Sequence, residues 1–142
     1  MTMNNLDLTT IEIINPTSET FTWRWNGQPY TIAAGEKKAF ARPIAYHLAK
    51  HLSTQIITLD ASRRITNKEA ENPNAAIHMK ISQLGTYDTH ERRIALFDIL
   101  GDEQLVINVI KAYPFKGFIG DMDEYKKHVE KRAEERKGVV AK

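Results

Sequence analysis

The segment Thr20–Ile32, "TFTWRWNGQPYTI", leaves little choice of local structure. Phe21, Trp23 and Trp25 alternate with Thr22 and Arg24, so on a strand the aromatic side chains share one face. Asn26-Gly27 follows at once. Both residues readily take positive φ, which a type I′ turn requires at its two central positions. The chain therefore folds back, with Gln28–Ile32 as the return strand. Pro29 lacks an N–H and belongs at the strand start or on an edge. A hairpin with one aromatic face is marginal in water, so the rest of the chain has to cover it.

The flanking residues extend this unit. Thr9–Ile14 is rich in β-branched residues and stops at the turn signal "NPTS". "AAGE" makes another turn, and Lys37–Phe40 forms a short further leg. The reading is a small antiparallel β-meander. Pro43 then opens a helix, where its missing N–H costs nothing. Over Ile44–Leu59 the residues Ile44, Leu48, Leu52 and Ile56 form one stripe, with Ala45, Ala49 and Leu59 beside it. That stripe is the natural cover for the aromatic face.

Farther on, Ser62–Asn74 is polar and reads as a long loop or frayed helix. Ala76–Leu84 alternates, with Ile77, Met79 and Ile81 on one side, and predicts a strand joining the sheet. Asp88–Gly101 is a helix: Asp88 and Glu91 form a capping-box pattern, and Gly101 suits the left-handed C′ position. In Asp102–Tyr113 the β-branched residues favour a strand. The spacing of Leu105, Val106, Val109, Ile110 and Tyr113 favours a helix, and the helix is preferred. Met122–Lys142 is helical in composition, densely charged, and carries a thin stripe of Met122, Tyr125, Val129 and Ala133. The expected class is α+β: a small antiparallel β-meander covered by helices in a domain spanning residues 1–121, with a charged C-terminal helical appendage at 122–142.

Composition narrows the functional classes. The 142 residues fit one domain able to bury about two-thirds of its unfolded surface. A net charge of +2 is too small to imply nucleic acid by itself. With no cysteine, disulfides, thiolate catalysis and Cys-type zinc sites are excluded. The N-terminus lacks the basic and apolar regions of a signal peptide, and no apolar run suggests a membrane span.

Motif chemistry is sparse. His47 and His51 lie one helical turn apart, the spacing of two metal ligands. Leu48, Ala49 and Lys50 stand between them, so the carboxylate that a zincin uses as general base is missing. Both rings fall beside the apolar stripe, where an amphipathic side chain buries its body and wets its tip. No metal and no cofactor is expected. Trp23 and Trp25 read as the sheet's core face, and Arg24, projecting oppositely, cannot join them in a stacking platform. The basic pairs Lys37-Lys38, Arg63-Arg64, Arg92-Arg93 and Lys126-Lys127 read as solvated faces, each shorter than a nucleic-acid patch. There is no nucleophile elbow, Walker A loop or dinucleotide fingerprint, so no catalytic residue is assigned.

Two features ask for a partner. The loop "YPFKGFI" (Tyr113–Ile119) gathers large apolar side chains among turn residues, and the helix after it has too thin a stripe to bury much. Phe115, Phe118, Ile119, Tyr125 and Val129 are the expected interface.

Asn15, Pro16, Phe21, Trp25, Gly27, Pro29, Tyr30, Gly35, Phe40 and the helix Ile44–Leu52 together form a pattern. It resembles small uncharacterised virion-associated proteins of tailed bacteriophages. The resemblance implies a non-enzymatic structural protein of the virion, capsid-associated or a connector, assembled in the host cytoplasm. Its partner would be a capsid or connector protein or copies of itself, with no membrane or nucleic acid involved. The alternative is a nucleic-acid-binding accessory protein that uses the paired basic residues.

Overall fold

Asn26 and Gly27 both carry positive φ, 50° and 78°, and fold the aromatic strand back as their chemistry demands. The structure, a computed structural model, describes residues 10–64 and 71–140, and of residues 136–140 the helical backbone alone. Four strands come first: β1 (Thr10–Ile14), β2 (Phe21–Trp25), β3 (Gln28–Ile32) and β4 (Lys37–Ala41). Five helices follow among the described residues: α1 (Arg42–Arg63), α2 (Pro73–Thr86), α3 (His90–Leu100), α4 (Glu103–Ala112) and α5 (Met122–Val140). The fold is α+β.

The strands pair as two separate antiparallel ribbons, β1 with β4 and β2 with β3, and not as one continuous meander. The tight turn after β3, closed by the Glu36 N–H on the Ala33 carbonyl at 2.9 Å with Gly35 at φ 74°, sends β4 away from β3 and onto β1. Asn15 holds this junction. Its Nδ2 donates to the Glu19 carbonyl (2.8 Å) and the Ile32 carbonyl (3.0 Å), and its Oδ1 accepts from the Thr17 N–H (3.0 Å) and hydroxyl (2.6 Å). The side chain is wholly buried and fully bonded, as a buried amide has to be.

Helix α1 runs through the middle. Ala45, Leu48, Ala49 and Leu52 are buried against Ile11 and Ile13 of β1, Phe21 of β2, Ile32 of β3, Leu96, Phe97 and Ile99 of α3, and Val106 and Val109 of α4. The predicted stripe is thus the core seam, although the helix continues past Leu59 to Arg63. Part of the long polar loop expected at Ser62–Asn74 belongs to α1 and α2, and residues 65–70 lie outside the described residues.

The strand expected at Ala76–Leu84 is helix α2. Pro73 sits in its first turn, and the Asn72 side chain accepts from the Ala75 N–H. Ile77 and Ile81 fit either period. Leu84 decides the matter, because it is buried at the i+7 position while Met79 is 68% exposed. In α3 the N-cap is Thr89, whose hydroxyl accepts from the Arg92 N–H at 3.1 Å. Asp88 is otherwise engaged, its carboxylate held by Arg93. Gly101 closes α3 in the left-handed conformation, as its position predicts. Asp102 caps α4, and Val106 and Val109 make it a packed helix.

Helix α5 lies on α3. Val129 and Ala133 pack against the core, and Asp98 of α3 receives His128 Nε2 and Arg132 Nε, each at 3.1 Å. Tyr125 is 1% exposed, which overturns its assignment as a contact to another chain: its ring is buried within this one, 5.8 Å from the Arg93 guanidinium. No helix among the described residues is long and apolar enough to cross a membrane.

Candidate interaction surfaces

The loop between α4 and α5 is held along its length. The Lys116 N–H reaches the Thr86 carbonyl (3.0 Å), the Asp88 N–H the Gly117 carbonyl (3.1 Å), and the Ile119 N–H the Asp88 carbonyl (2.9 Å). Asp88 and Phe118 thereby form a parallel bridge. Gly120 presses against the first residue of α3. A Cβ there would overlap the Cβ, N and Cα of His90. Asp121 then caps α5, accepting from the Asp123 N–H at 2.9 Å and the Glu124 N–H at 3.3 Å.

This anchoring divides the predicted interface residues. Phe115 lies under the Arg92 guanidinium at 4.9 Å and Phe118 under that of Arg93 at 5.1 Å, so both half-buried rings are engaged inside the chain. Val129 is half-buried against the core. Ile119 is 64% exposed, and Met122, at the start of α5, is 39% exposed. Ile119 borders a hollow of about 430 Å³ with Leu84 and Tyr87, edged by Glu91, Asp121 and Glu124.

A second surface forms on the outer side of α1. At about 100° per residue, His47, Lys50, His51 and Thr54 fall within roughly 100° of arc. Trp23 stacks on His51 with centroids 4.1 Å apart, and Trp25 tilts against His47 at 4.9 Å. The two imidazoles meet edge-on at 4.6 Å. On the other flank Lys50 Nζ lies 4.8 Å above the Tyr113 ring, and His47 is 6.2 Å from it. The result is a basic floor flanked by aromatic rings. Trp23 is 42% exposed there, so only part of the expected aromatic core face is core: Phe21 is buried and Trp23 is not.

Beneath this floor lies Arg92, which sequence reasoning placed on a solvated face. It is 1% exposed. Its Nη1 donates to Thr54 Oγ1 (3.2 Å), its Nη2 donates to the Lys50 carbonyl (2.9 Å), and its Nε has no partner among the described residues. Arg93 takes Asp88 instead, with Nε at 2.9 and 3.1 Å and Nη2 at 2.7 Å from the carboxylate oxygens. One helical step separates a buried cation from a paired one, and the letters of an Arg-Arg pair do not distinguish them.

The electrostatics follow from this crowding. Burial, then the charges of His47, Lys50 and Arg92, push His51 down to about 4. Burial and Lys50 lower His47 as well, against a hydrogen bond to the Arg24 carbonyl that favours its protonated form. Lys50 is lowered by burial and by Arg92. Arg92 is pushed down to about 10 by burial, with Asp88 opposing. Each basic group makes its neighbours harder to charge.

His47 and His51 turn their faces and edges to indoles and to each other. Among the described residues no three His, Asp or Glu side chains gather where they could hold a metal ion. No protein-family model, curated protein or solved structure matches this chain.

Proposed function

We propose that this chain is a non-enzymatic assembly component that binds another protein through Ile119 and Met122; in the form implied by the N-terminal resemblance, that assembly is a tailed-phage virion. The observation that carries the reading is a large apolar side chain, Ile119, held 64% exposed on a loop whose backbone is bonded on both sides of it. Exposed apolar residues are common one at a time. A rigid one beside a second, and beside a hollow, has already met the ordering cost that binding otherwise exacts. The hollow's edge carries Glu91, Asp121 and Glu124 together with Lys80 and His90; Glu91 is paired to Lys80, Glu124 lies 3.7 Å from His90 Nε2, and Asp121 is the carboxylate left over. The matching partner surface is therefore an apolar anchor flanked by a basic residue.

The test is incorporation into particles when the chain is produced together with the products of its neighbouring genes. Ile119→Asp combined with Met122→Asp should cut incorporation at least fivefold, since interface anchors are worth about 1 kcal/mol or more each. Melting should fall only modestly, because Ile119 is largely solvent-facing and Met122 partly so. Undiminished incorporation of a folded double variant would remove this surface from the account.

A further inference from the structure

We infer that the face of α1 carrying His47, Lys50 and His51, flanked by Trp23 and Tyr113, binds an anion that carries a planar aromatic ring, the chemistry of a nucleoside phosphate. The inference shares no residue with the Ile119 surface.

The first ground is charge. Four basic side chains from two helices converge here: His47, Lys50 and His51 from α1, and Arg92 from α3. The other polar groups facing the imidazoles are the Arg24 carbonyl of β2 and Tyr113 at the end of α4. Among the described residues, the carboxylate that acts on this cluster is Asp88, and three hydrogen bonds commit it to Arg93. Near neutral pH the two imidazoles, both held below 6.5, are uncharged, so an anion at Lys50 Nζ would meet the charges of Lys50 and of Arg92 beneath it. A lysine ammonium serves a phosphate well as a point charge.

The second ground is shape. Trp23 spends one face on His51 and keeps 42% of its surface exposed, so an indole is available for stacking beside the basic floor. Stacking on an exposed aromatic accepts any base, because every base offers a π-face. Its own stack on His51 already fixes Trp23, and Lys50 is held over Tyr113, so little side-chain freedom remains to be lost on binding.

The two grounds together select the ligand. Phosphate alone would leave the indole unused, and a neutral nucleoside would leave the ammonium unused. Protonation is linked to occupancy as well. A bound anion favours the charged imidazoles between 6.5 and the value of about 4 to which His51 is held in the free protein, and this gain is opposed below about pH 6, where the phosphate monoester itself takes up a proton.

The experiment titrates the folded chain with adenosine monophosphate. Tryptophan fluorescence and the histidine ring resonances are followed, with inorganic phosphate and adenosine as half-probes. The expected result is a Kd of about 1 mM or tighter for the nucleotide, and each half-probe about tenfold weaker. The His47 and His51 signals should move towards their protonated positions. Lys50→Gln should weaken the nucleotide about tenfold with melting unchanged, and Trp23→Ala should reduce it to the affinity of phosphate. A short single-stranded oligonucleotide in a parallel arm separates the sources. Tighter, Lys50-dependent binding of the strand assigns the ligand to nucleic acid, and equal binding assigns it to the free nucleotide. Unmoved His47 and His51 signals, wild-type affinity in Lys50→Gln, or phosphate binding as tightly as the nucleotide would each overturn the inference.

Discussion

The guanidinium carbon of Arg92 lies 4.9 Å from the centre of the Phe115 ring, at a place where the arginine is almost wholly buried and its Nε is unbonded among the described residues. Such a cation is expensive to desolvate, and an apolar side chain of similar volume is often no worse. Arg92→Met is therefore expected to leave stability unchanged or raise it. Arg92→Ala, which opens a cavity under Phe115, should cost about 2–4 kcal/mol. Urea midpoints decide between the two, and a Met variant as damaged as the Ala variant would show that the charge itself holds the fold.

Acid should weaken the fold through the stacked imidazoles. His51 is held at about 4, below its ordinary 6.5, so the unfolded chain binds a proton more readily than the folded one. The stability contributed by the neutral ring is present above pH 6.5 and is lost as pH falls towards 4. Lys50 of α1, His47 of α1 and Arg92 of α3 all push in this direction. His51→Phe keeps a ring against Trp23 and removes the titration. Its stability should fall less over that window, by roughly 1–2 kcal/mol once the half-exposure of His51 is discounted. Parallel pH profiles for the two proteins would assign the acid sensitivity elsewhere.

Gly120 and Gly117 should respond differently to the same change. A Cβ at Gly120 would overlap backbone atoms of His90, and helix α3 cannot give way cheaply. Gly120→Ala is expected to cost about 2 kcal/mol or more. At Gly117 a Cβ meets nothing within 4 Å, but φ is +65°, so Gly117→Ala should cost about 1–2 kcal/mol from conformation alone. Thermal melting of the pair gives the order. The reverse order would mean that the loop can lift from α3.

Tyr125 is a core residue whose hydroxyl has the Arg93 guanidinium near it and, among the described residues, no hydrogen bond of full geometry. Burial pushes that hydroxyl up to about 12, with Glu103 adding to the effect. Truncating the ring in Tyr125→Ala should cost about 3–5 kcal/mol and loosen α5 from α3. Removing the hydroxyl alone in Tyr125→Phe should be close to neutral, because the contact it loses with Arg93 falls short of full hydrogen-bond geometry. Amide exchange along Met122–Arg132 reports whether α5 has come away. Rapid exchange in the Phe variant would mean that the hydroxyl matters after all.

What could be read from the letters was local. Asn26-Gly27 specifies a turn, the Ile44–Ile56 stripe specifies a buried helix face, and Gly101 specifies a helix end, each from its own neighbourhood. Ile77 and Ile81 satisfy both periods, and only the burial of Leu84, a tertiary fact, makes that segment a helix. The same limit hid the basic cluster. His47 and His51 were visible on one helical face, but Lys50 was read only as a residue between them, and Arg92 joins from α3 by reaching the Lys50 carbonyl, a bond no spacing rule encodes. Gly120 was silent as well, since its role depends on where His90 lies in space.

The bridge between Asp88 and Phe118 imposes an order in time. The pairing is parallel, so the chain between its two sides has to travel out and return, and here the traveller is the α3–α4 unit. The two segments lie side by side only where the α3–α4 unit has brought the chain back. The bridge in turn brings Gly120 to His90 and sets Asp121 where α5 begins. As the chain leaves the ribosome, the hairpin and α1 can mature on local contacts while α5 has no seat to occupy. A nascent chain paused before the bridge closes would therefore show a finished front half and a bare α3 flank, exposed to whatever passes until the last helix arrives.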